Sequence, residues 1–321
     1  MNSTRSFAAY NKDEAIRAIS SSGGVFYALA KRTLLEGGIV FGAAFDREWQ
    51  VHHEACSNIQ NLHRIMQSKY VQSSLGDTYL QVRNALLSGK KTLFCGTPCQ
   101  VEGLVSYLKS VMKDDTWKES LSTIDFICHG VPSKMVWRRY LKEVSGEKKI
   151  KNINFRDKTK GWRDFSLRID FEHGSSYQQS QRKDPYMRGF LSNLYLRDAC
   201  YECNFRGVER VSDFTIADFW GVHKLLPDFF DDKGTSIVMV HNHRAMRTLE
   251  ELSDEVNLCE ISNEVVVKTN SPVIRSVNRN SKRDDFFKSD DGKSIRAHIV
   301  HNLHQSLLTR IKRKIKKTLH F

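Results

Sequence analysis

Two short apolar segments end in the same way, and that repetition limits the folds open to this chain. Lys91-Thr-Leu-Phe-Cys95 runs into Gly96-Thr97-Pro98 and then a helical pattern with Val101, Leu104, Val105 and Leu108 on one face. Ser122-Thr-Ile-Asp-Phe-Ile-Cys128 runs into His129-Gly-Val-Pro132, followed by a second helical pattern from Lys134 to Val144. Strand, glycine turn and helix is the unit of an α/β sheet, which gathers its ligand site at the carboxyl ends of parallel strands. Two such units side by side predict that Cys99 and Cys128 arrive at one sheet edge.

The fold class expected is therefore α/β (α+β), a mixed sheet with helices on both faces and an antiparallel insertion. Phe7 to Tyr10, Ile39 to Phe45 and Gln50 to Cys56 read as further strands. In the last of these, alternation sets His52 and His53 on opposite faces of what reads as a solvated edge. From Lys149 the pattern turns to strands without helices, Ile150 to Phe155 and Phe165 to Phe171, which places the insertion at about residues 149–182. Asp184 to Leu194 is helical and aromatic, strands follow at Asp213 to Ala217 and Thr235 to Val240, and short apolar stretches run on to Val267. Residues 1–290 are expected to form a single domain. Residues 291–321 read as a basic amphipathic helix, with Leu303, Leu307, Leu308, Ile311, Ile315 and Leu319 at helical steps among lysines and arginines. Such a helix suits an anionic membrane surface or a partner's groove.

Ser20-Ser21-Ser22-Gly23-Gly24 precedes a helical run from Val25 that closes at Gly37. Backbone amides freed at a helix start, with hydroxyls beside them, form a site for phosphate. Elsewhere no dinucleotide fingerprint occurs, and Ser88-Gly-Lys-Lys-Thr92 lacks the upstream glycine of a P-loop, so direct NADH oxidation and ATP hydrolysis are not expected. The net charge of +13 points to an acidic partner, cofactor or surface. Nucleic acid is not expected, because the basic residues are spread along the chain outside its C-terminus and no helix-turn-helix, zinc-finger or RNP spacing appears.

Seven cysteines remain to be explained. The N-terminal residues have no apolar leader and no run approaches the ~18 apolar residues of a membrane span, so a cytoplasmic location is expected and the cysteines read as thiols or metal ligands. Cys200-Tyr-Glu-Cys203 presents two thiolates to one centre, and Cys99 and Cys128 complete a set of four. Cys56 and Cys259 fall in strands and read as small buried residues, whereas Cys95 stands four positions before Cys99 as an alternative ligand. Spacing alone leaves a 4Fe-4S cluster, a zinc ion and a thiol redox pair open. Two ligands that stand alone, roughly 70 to 100 residues from the pair, favour a cofactor over a module folded around zinc.

Further short motifs occur in a fixed order: Ser21-Ser-Gly-Gly24, Ser68-Lys-Tyr-Val-Gln72, Gly96-Thr-Pro-Cys-Gln100, Cys128-His-Gly-Val131, Asn154-Phe-Arg-Asp157 with Gly161-Trp162, the C-x-x-C, and Asp218-Phe-Trp-Gly221. In this order, and over about residues 7 to 290, the sequence resembles the beta-subunit family of coenzyme F₄₂₀-reducing hydrogenases and dehydrogenases. The resemblance implies an iron-sulfur flavoprotein oxidoreductase, with a 4Fe-4S cluster on Cys99, Cys128, Cys200 and Cys203. It implies FAD in contact with Ser21, Ser22, Gly23, Gly24, Ser68, Lys69, Tyr70, Gly96, Thr97 and Pro98. Lys69 would stabilise a reduced, anionic flavin, and His129 and Asp218 are candidates to serve protons.

Electron flow is expected between a ferredoxin-type donor and a two-electron, hydride acceptor. Many relatives begin with a ferredoxin-like module of eight cysteines, and no such run stands before Ser20 here, so the resemblance implies a separate electron-carrying partner. The acceptor is expected to be a small molecule or a glycan, in surface-polysaccharide biosynthesis. The alternative class is a redox-inactive or zinc-bound four-cysteine interaction protein of a membrane-associated polysaccharide assembly, peripheral at the inner face of the membrane.

Overall fold

Leu93 and Phe94 are neighbours in one strand, both are buried, and they belong to different apolar clusters. A strand covered on both faces belongs to the middle of a layered α/β sheet. The computed structural model describes residues 4–303. Its strands are β1 (Arg5–Asn11), β2 (Ile39–Phe45), β3 (Val51–Cys56), β4 (Thr92–Cys95), β5 (Leu121–Phe126), β6 (Ile150–Asp157), β7 (Ser166–Phe171), β8 (Ser176–Ser180), β9 (Phe214–Asp218), β10 (Ser236–Val240) and β11 (Val256–Ile261). Eight of them form one mixed sheet in the order β11-β1-β10-β9-β5-β4-β2-β3. The neighbours β2, β4, β5 and β9 run parallel, and the remaining pairs are antiparallel.

The helices are α1 (Glu14–Ile19), α2 (Val25–Leu35), α3 (Thr78–Leu87), α4 (Pro98–Val111), α5 (Lys134–Ser145), α6 (Pro185–Leu191), α7 (Val222–Leu225), α8 (His243–Glu250), α9 (Asn263–Thr269), α10 (Arg283–Lys288) and α11 (Ile295–Leu303). One face of the sheet, with Phe7, Ala9, Val40 and Leu93, buries Leu29 of α2 and Leu249 of α8. The other face receives Val101 and Leu104 of α4 on Phe41 and Phe94, and Val222 of α7 and Val266 of α9 on Ala8 and Ile237. This is the mixed α/β arrangement expected. Its consequence is positional: the carboxyl ends of β1, β2, β4, β5 and β9 all open on the same edge.

The antiparallel insertion is the sheet β6-β7-β8, which buries Phe155, Leu167 and Ile169 against Trp137 and Tyr140 of α5, Tyr186 and Phe190 of α6 and Ile299 of α11. Pairing of β6 with β7 slips between Asn154 and Asp157. There Phe155, Arg156 and Asp157 are buried in succession, where a regular strand would turn the middle one outward. A bulge re-aims a side chain in this way, and here it sends an arginine inside.

Three expectations are corrected. β3 is an edge strand, yet His53 is only 7% exposed and is no part of a solvated edge. Cys128 lies beyond the end of β5, in the turn that follows it. The apolar stretches after α8 contain a strand, β11, which pairs with β1 along six residues from Ser6 to Asn11. The tail positions Leu307, Leu308, Ile311, Ile315 and Leu319 lie outside the described residues, which end as α11 reaches Leu303. No described helix is long and apolar enough to cross a membrane.

Candidate functional site

The four cysteines are carried by three loops at the open sheet edge, each held by local structure of its own. Thr97 caps α4 in a reciprocal arrangement with Gln100, and Pro98 opens the helix, which leaves the exposed Cys99 in its first turn. The Thr97 hydroxyl lies 3.1 Å from the Cys99 sulfur. The Cys128 loop and the segment before Cys200 are zipped together by the Ser133 amide on the Tyr195 carbonyl and the Arg197 amide on the Val131 carbonyl, each at 2.9 Å. Cys200 ends a short 3-10 turn from Asp198, and Cys203 donates its amide to Ser276 Oγ at 2.9 Å.

The Cys128 loop turns one amide toward a sulfur of the neighbouring segment: the Val131 N–H reaches Cys200 Sγ at 3.5 Å. Backbone N–H groups turned toward sulfur are the kind of donor found around iron-sulfur clusters. Gly130 makes the loop fit: φ is +135°, and a Cβ there would stand 2.9 Å from Leu196 and 3.3 Å from the Cys200 Cβ.

Electrostatics link the same set. Protein surrounds Cys128 closely although part of it stays open, and this desolvation pushes its thiol up to about 12; Arg206 opposes the shift, while Cys200 and Cys99 add to it. Cys200 is raised by burial too, with Cys203 and Cys99 contributing. Arg206 donates to the carbonyls of Cys128 and Pro272, and its buried Nε has no partner among the described residues. All seven cysteines are free thiols. Among the described residues, no three His, Cys, Asp or Glu side chains lie tightly enough grouped to close on a single metal ion. Cys95 takes a different environment, beside Lys69 and Asp125, where burial raises its thiol to about 12.

A second cluster of side chains joins the remaining motifs. The Ser21 hydroxyl accepts the Ser68 amide at 2.7 Å, which ties the two proposed cofactor segments to each other. Ser22 Oγ donates to the Thr235 carbonyl, the Gly23 amide donates to Ser236 Oγ, and a Cβ on Gly23 would lie 2.4 Å from the Ala9 carbonyl. Thus both serine hydroxyls serve the fold. What the turn leaves for a ligand is the start of α2 at Gly24, whose left-handed backbone caps the helix without a side-chain bond.

Arg156 and Asp218 form the centre of this cluster. The guanidinium holds both carboxylate oxygens at 3.0 and 2.8 Å and reaches the Ser21 carbonyl at 3.2 Å and the Tyr70 hydroxyl at 3.3 Å. It lies over the Phe165 ring at 3.9 Å, and Trp162, which donates to Asp218, stacks on Trp220 at 5.1 Å. Lys158 donates to the carbonyls of Arg17, Ser22 and Lys233, and desolvation brings it down to about 8.

All three residues proposed as catalytic are engaged by the fold. Asp218 is occupied as described, and His129 Nε2 lies 2.7 Å from Asn193 Oδ1, with burial lowering its pKa. Lys69 is only partly exposed, donates to the Met66 and Gln67 carbonyls at 2.6 and 3.4 Å, lies 5.8 Å from the Phe45 ring centre, and desolvation lowers it to about 7. Tyr70, half-buried, stacks on Phe190.

The family described as the C-terminal part of the coenzyme F420 hydrogenase/dehydrogenase beta subunit matches residues 89–264, more than half of the chain and all four of these cysteines. The chain belongs to this family. A chain in the F420-reducing [NiFe] hydrogenase complex of Methanosarcina barkeri shares the fold, with a TM-score of 0.56 at 15% identity over 91% of this chain and 92% of that one. No curated protein matches. Membership in this beta-subunit family brings an association with oxidoreductases.

Sequence reasoning assigns no role to Arg156, Trp162, Arg206 or His53. Arg156 and Trp162 stand within the ordered motifs, and Arg206 stands three residues after the C-x-x-C, but a lone arginine in such a pattern reads as solvated until the fold buries it.

Proposed function

We propose that this beta-subunit relative is an iron-sulfur flavoprotein oxidoreductase, with a 4Fe-4S cluster held by Cys99, Cys128, Cys200 and Cys203 and FAD bound beside it. The observation that carries the reading is the Cys128 loop zipped to the segment before Cys200, with the Val131 amide directed at the Cys200 sulfur and the Arg206 guanidinium on the Cys128 carbonyl. Four thiols, a directed amide and one nearby guanidinium suit a polynuclear anionic centre. The flavin reading is supported by the tied Ser21 and Ser68 segments and by the helix start at Gly24, which suits a phosphate.

When bound, a cluster and a flavin together supply exchange between single-electron carriers and a two-electron acceptor. The protein's own part is positional. The Val131 amide holds the Cys200 sulfur by a hydrogen bond, and the Arg156 and Asp218 pair anchors Ser21 and Tyr70. Lys69 follows Ser68 in the chain, and its amine, held on the Met66 and Gln67 carbonyls and lowered by desolvation to about 7, is a group able to hold or give up a proton close to neutral pH. The expected electron partner is a separate ferredoxin-like protein, and the acceptor an oxidised sugar or lipid-linked glycan of surface-polysaccharide synthesis.

Anaerobic purification followed by iron, sulfide and flavin analysis tests the reading. About four irons and four sulfides per chain are expected, with one FAD and a visible spectrum that bleaches with dithionite. Colourless protein carrying tightly bound zinc would replace it with the structural four-cysteine reading.

A further inference from the structure

Arg206 is held against the Cys128 loop, and its hydrogen bonding is unusual. One terminal nitrogen donates to two backbone carbonyls, those of Cys128 and Pro272, and so clips the Cys128 loop to residues 272–276, the segment whose Ser276 also receives the Cys203 amide. The charge is thereby fixed between two cysteine-bearing loops. Its Nε is buried with no acceptor among the described residues, although a buried guanidinium N–H is strongly driven to find one.

We propose that Arg206 is a positioning residue that sets the reduction potential of the cluster through its fixed positive charge. The inference rests on the cluster reading above. A cation held next to a ligand stabilises whichever state carries more negative charge, and for an iron-sulfur centre that is the reduced one; net charge and hydrogen bonds to sulfur are what tune such potentials. Arg206 therefore makes the cluster easier to reduce. Other nearby arginines are placed differently: Arg279 and Arg283 are engaged by Asp198 and Asp284, Arg210 by Asp125, and Arg197 adds its charge on the Cys200 side.

The test compares Arg206→Gln and Arg206→Lys with the parent protein, all purified anaerobically, by iron content, circular dichroism and a potentiometric titration of the cluster signal. With iron retained, the glutamine variant is expected to titrate at a more negative potential than the parent, and the lysine variant to stay closer to it. A glutamine variant with full iron and an unchanged potential overturns the proposal. If glutamine empties the site while lysine keeps it filled, charge at this position is what the site requires, and the proposal stands. If both variants lose iron with the fold intact, the planar fork alone matters and the proposal fails. Absence of iron and sulfide from the parent protein is a separate result, which removes the cluster reading itself.

Discussion

Arg156 holds Asp218 by both terminal nitrogens, at 3.0 and 2.8 Å, and the two residues come from different sheets. The arginine side chain is 1% exposed and the aspartate 18%, so the pair is a buried joint between the insertion and the edge where the motifs meet. Removing one partner leaves an uncompensated buried charge. Asp218→Ala is expected to lower stability by about 3–5 kcal/mol, measured by urea unfolding. The double variant Arg156→Met with Asp218→Leu should be less destabilised than Asp218→Ala, because no lone charge then remains. A loss below about 1 kcal/mol for Asp218→Ala, the range of an exposed pair, would show that the joint has little energetic weight.

Gly130→Ala is expected to cost about 1–3 kcal/mol from its positive φ alone, and further through the 2.9 Å approach to Leu196. It should also push the Val131 amide off the Cys200 sulfur and crowd the Cys200 Cβ, and so reduce iron content. Gly174→Ala provides the comparison, since that turn glycine also has positive φ, +91°, but open space around it. Stability should fall there with iron unchanged. Equal iron content in the two variants would contradict the role given to the Gly130 loop.

Lys69 carries a pH dependence of defined sign. In the unfolded chain its amine stays protonated up to about 10, whereas desolvation in the folded protein brings the pKa down to about 7. Between those values the unfolded state binds more protons, so the Lys69 contribution makes stability rise with pH and leaves it lowest below about 7. Lys69→Met is expected to flatten that slope in chemical denaturation series from about pH 6 to 10 and to stabilise the protein most at the acid end.

His53 and His241 govern the acid limb. Burial lowers each to about 4. His53 donates from Nε2 to the Cys95 carbonyl at 3.1 Å, accepts from Ser73 at 2.7 Å and stacks on Phe94; His241 lies between Thr4 and Thr215. As pH falls below about 6.5 the unfolded chain takes up protons first, so stability is complete above that value and is lost progressively toward about pH 4. For His53 the loss is on the order of 2–3 kcal/mol. The variant His53→Gln should be less stable at neutral pH and show a shallower decline between about pH 6.5 and 4.

Much of this frame is legible without the fold. β4 and β5 follow from short apolar runs closed by glycine turns, and the parallel sheet edge from the helix after each. The C-x-x-C and the two single cysteines are visible as types and spacings. β11 escapes such reading because Val256–Ile261 has charged and polar residues at a partly exposed edge, and its partner β1 lies about 250 positions away, beyond the reach of periodicity. Arg156 escapes it for a related reason: a bulge reverses the alternation that would have turned it to solvent.

By itself, the sequence determined the layer architecture, the insertion and the inventory of thiols, because apolar periodicity and turn chemistry act over a few residues. Only the tertiary structure decided which groups meet. It brought Ser21 to Ser68, Arg156 to Asp218, the Val131 amide to Cys200 and Arg206 to the Cys128 carbonyl. It also showed that the hydroxyls of Ser21 and Ser22 and the carboxylate of Asp218 are engaged by the fold, while Lys69 stays partly open. Such pairings depend on register and loop closure across distant positions, and their energies arise from burial that no local pattern records.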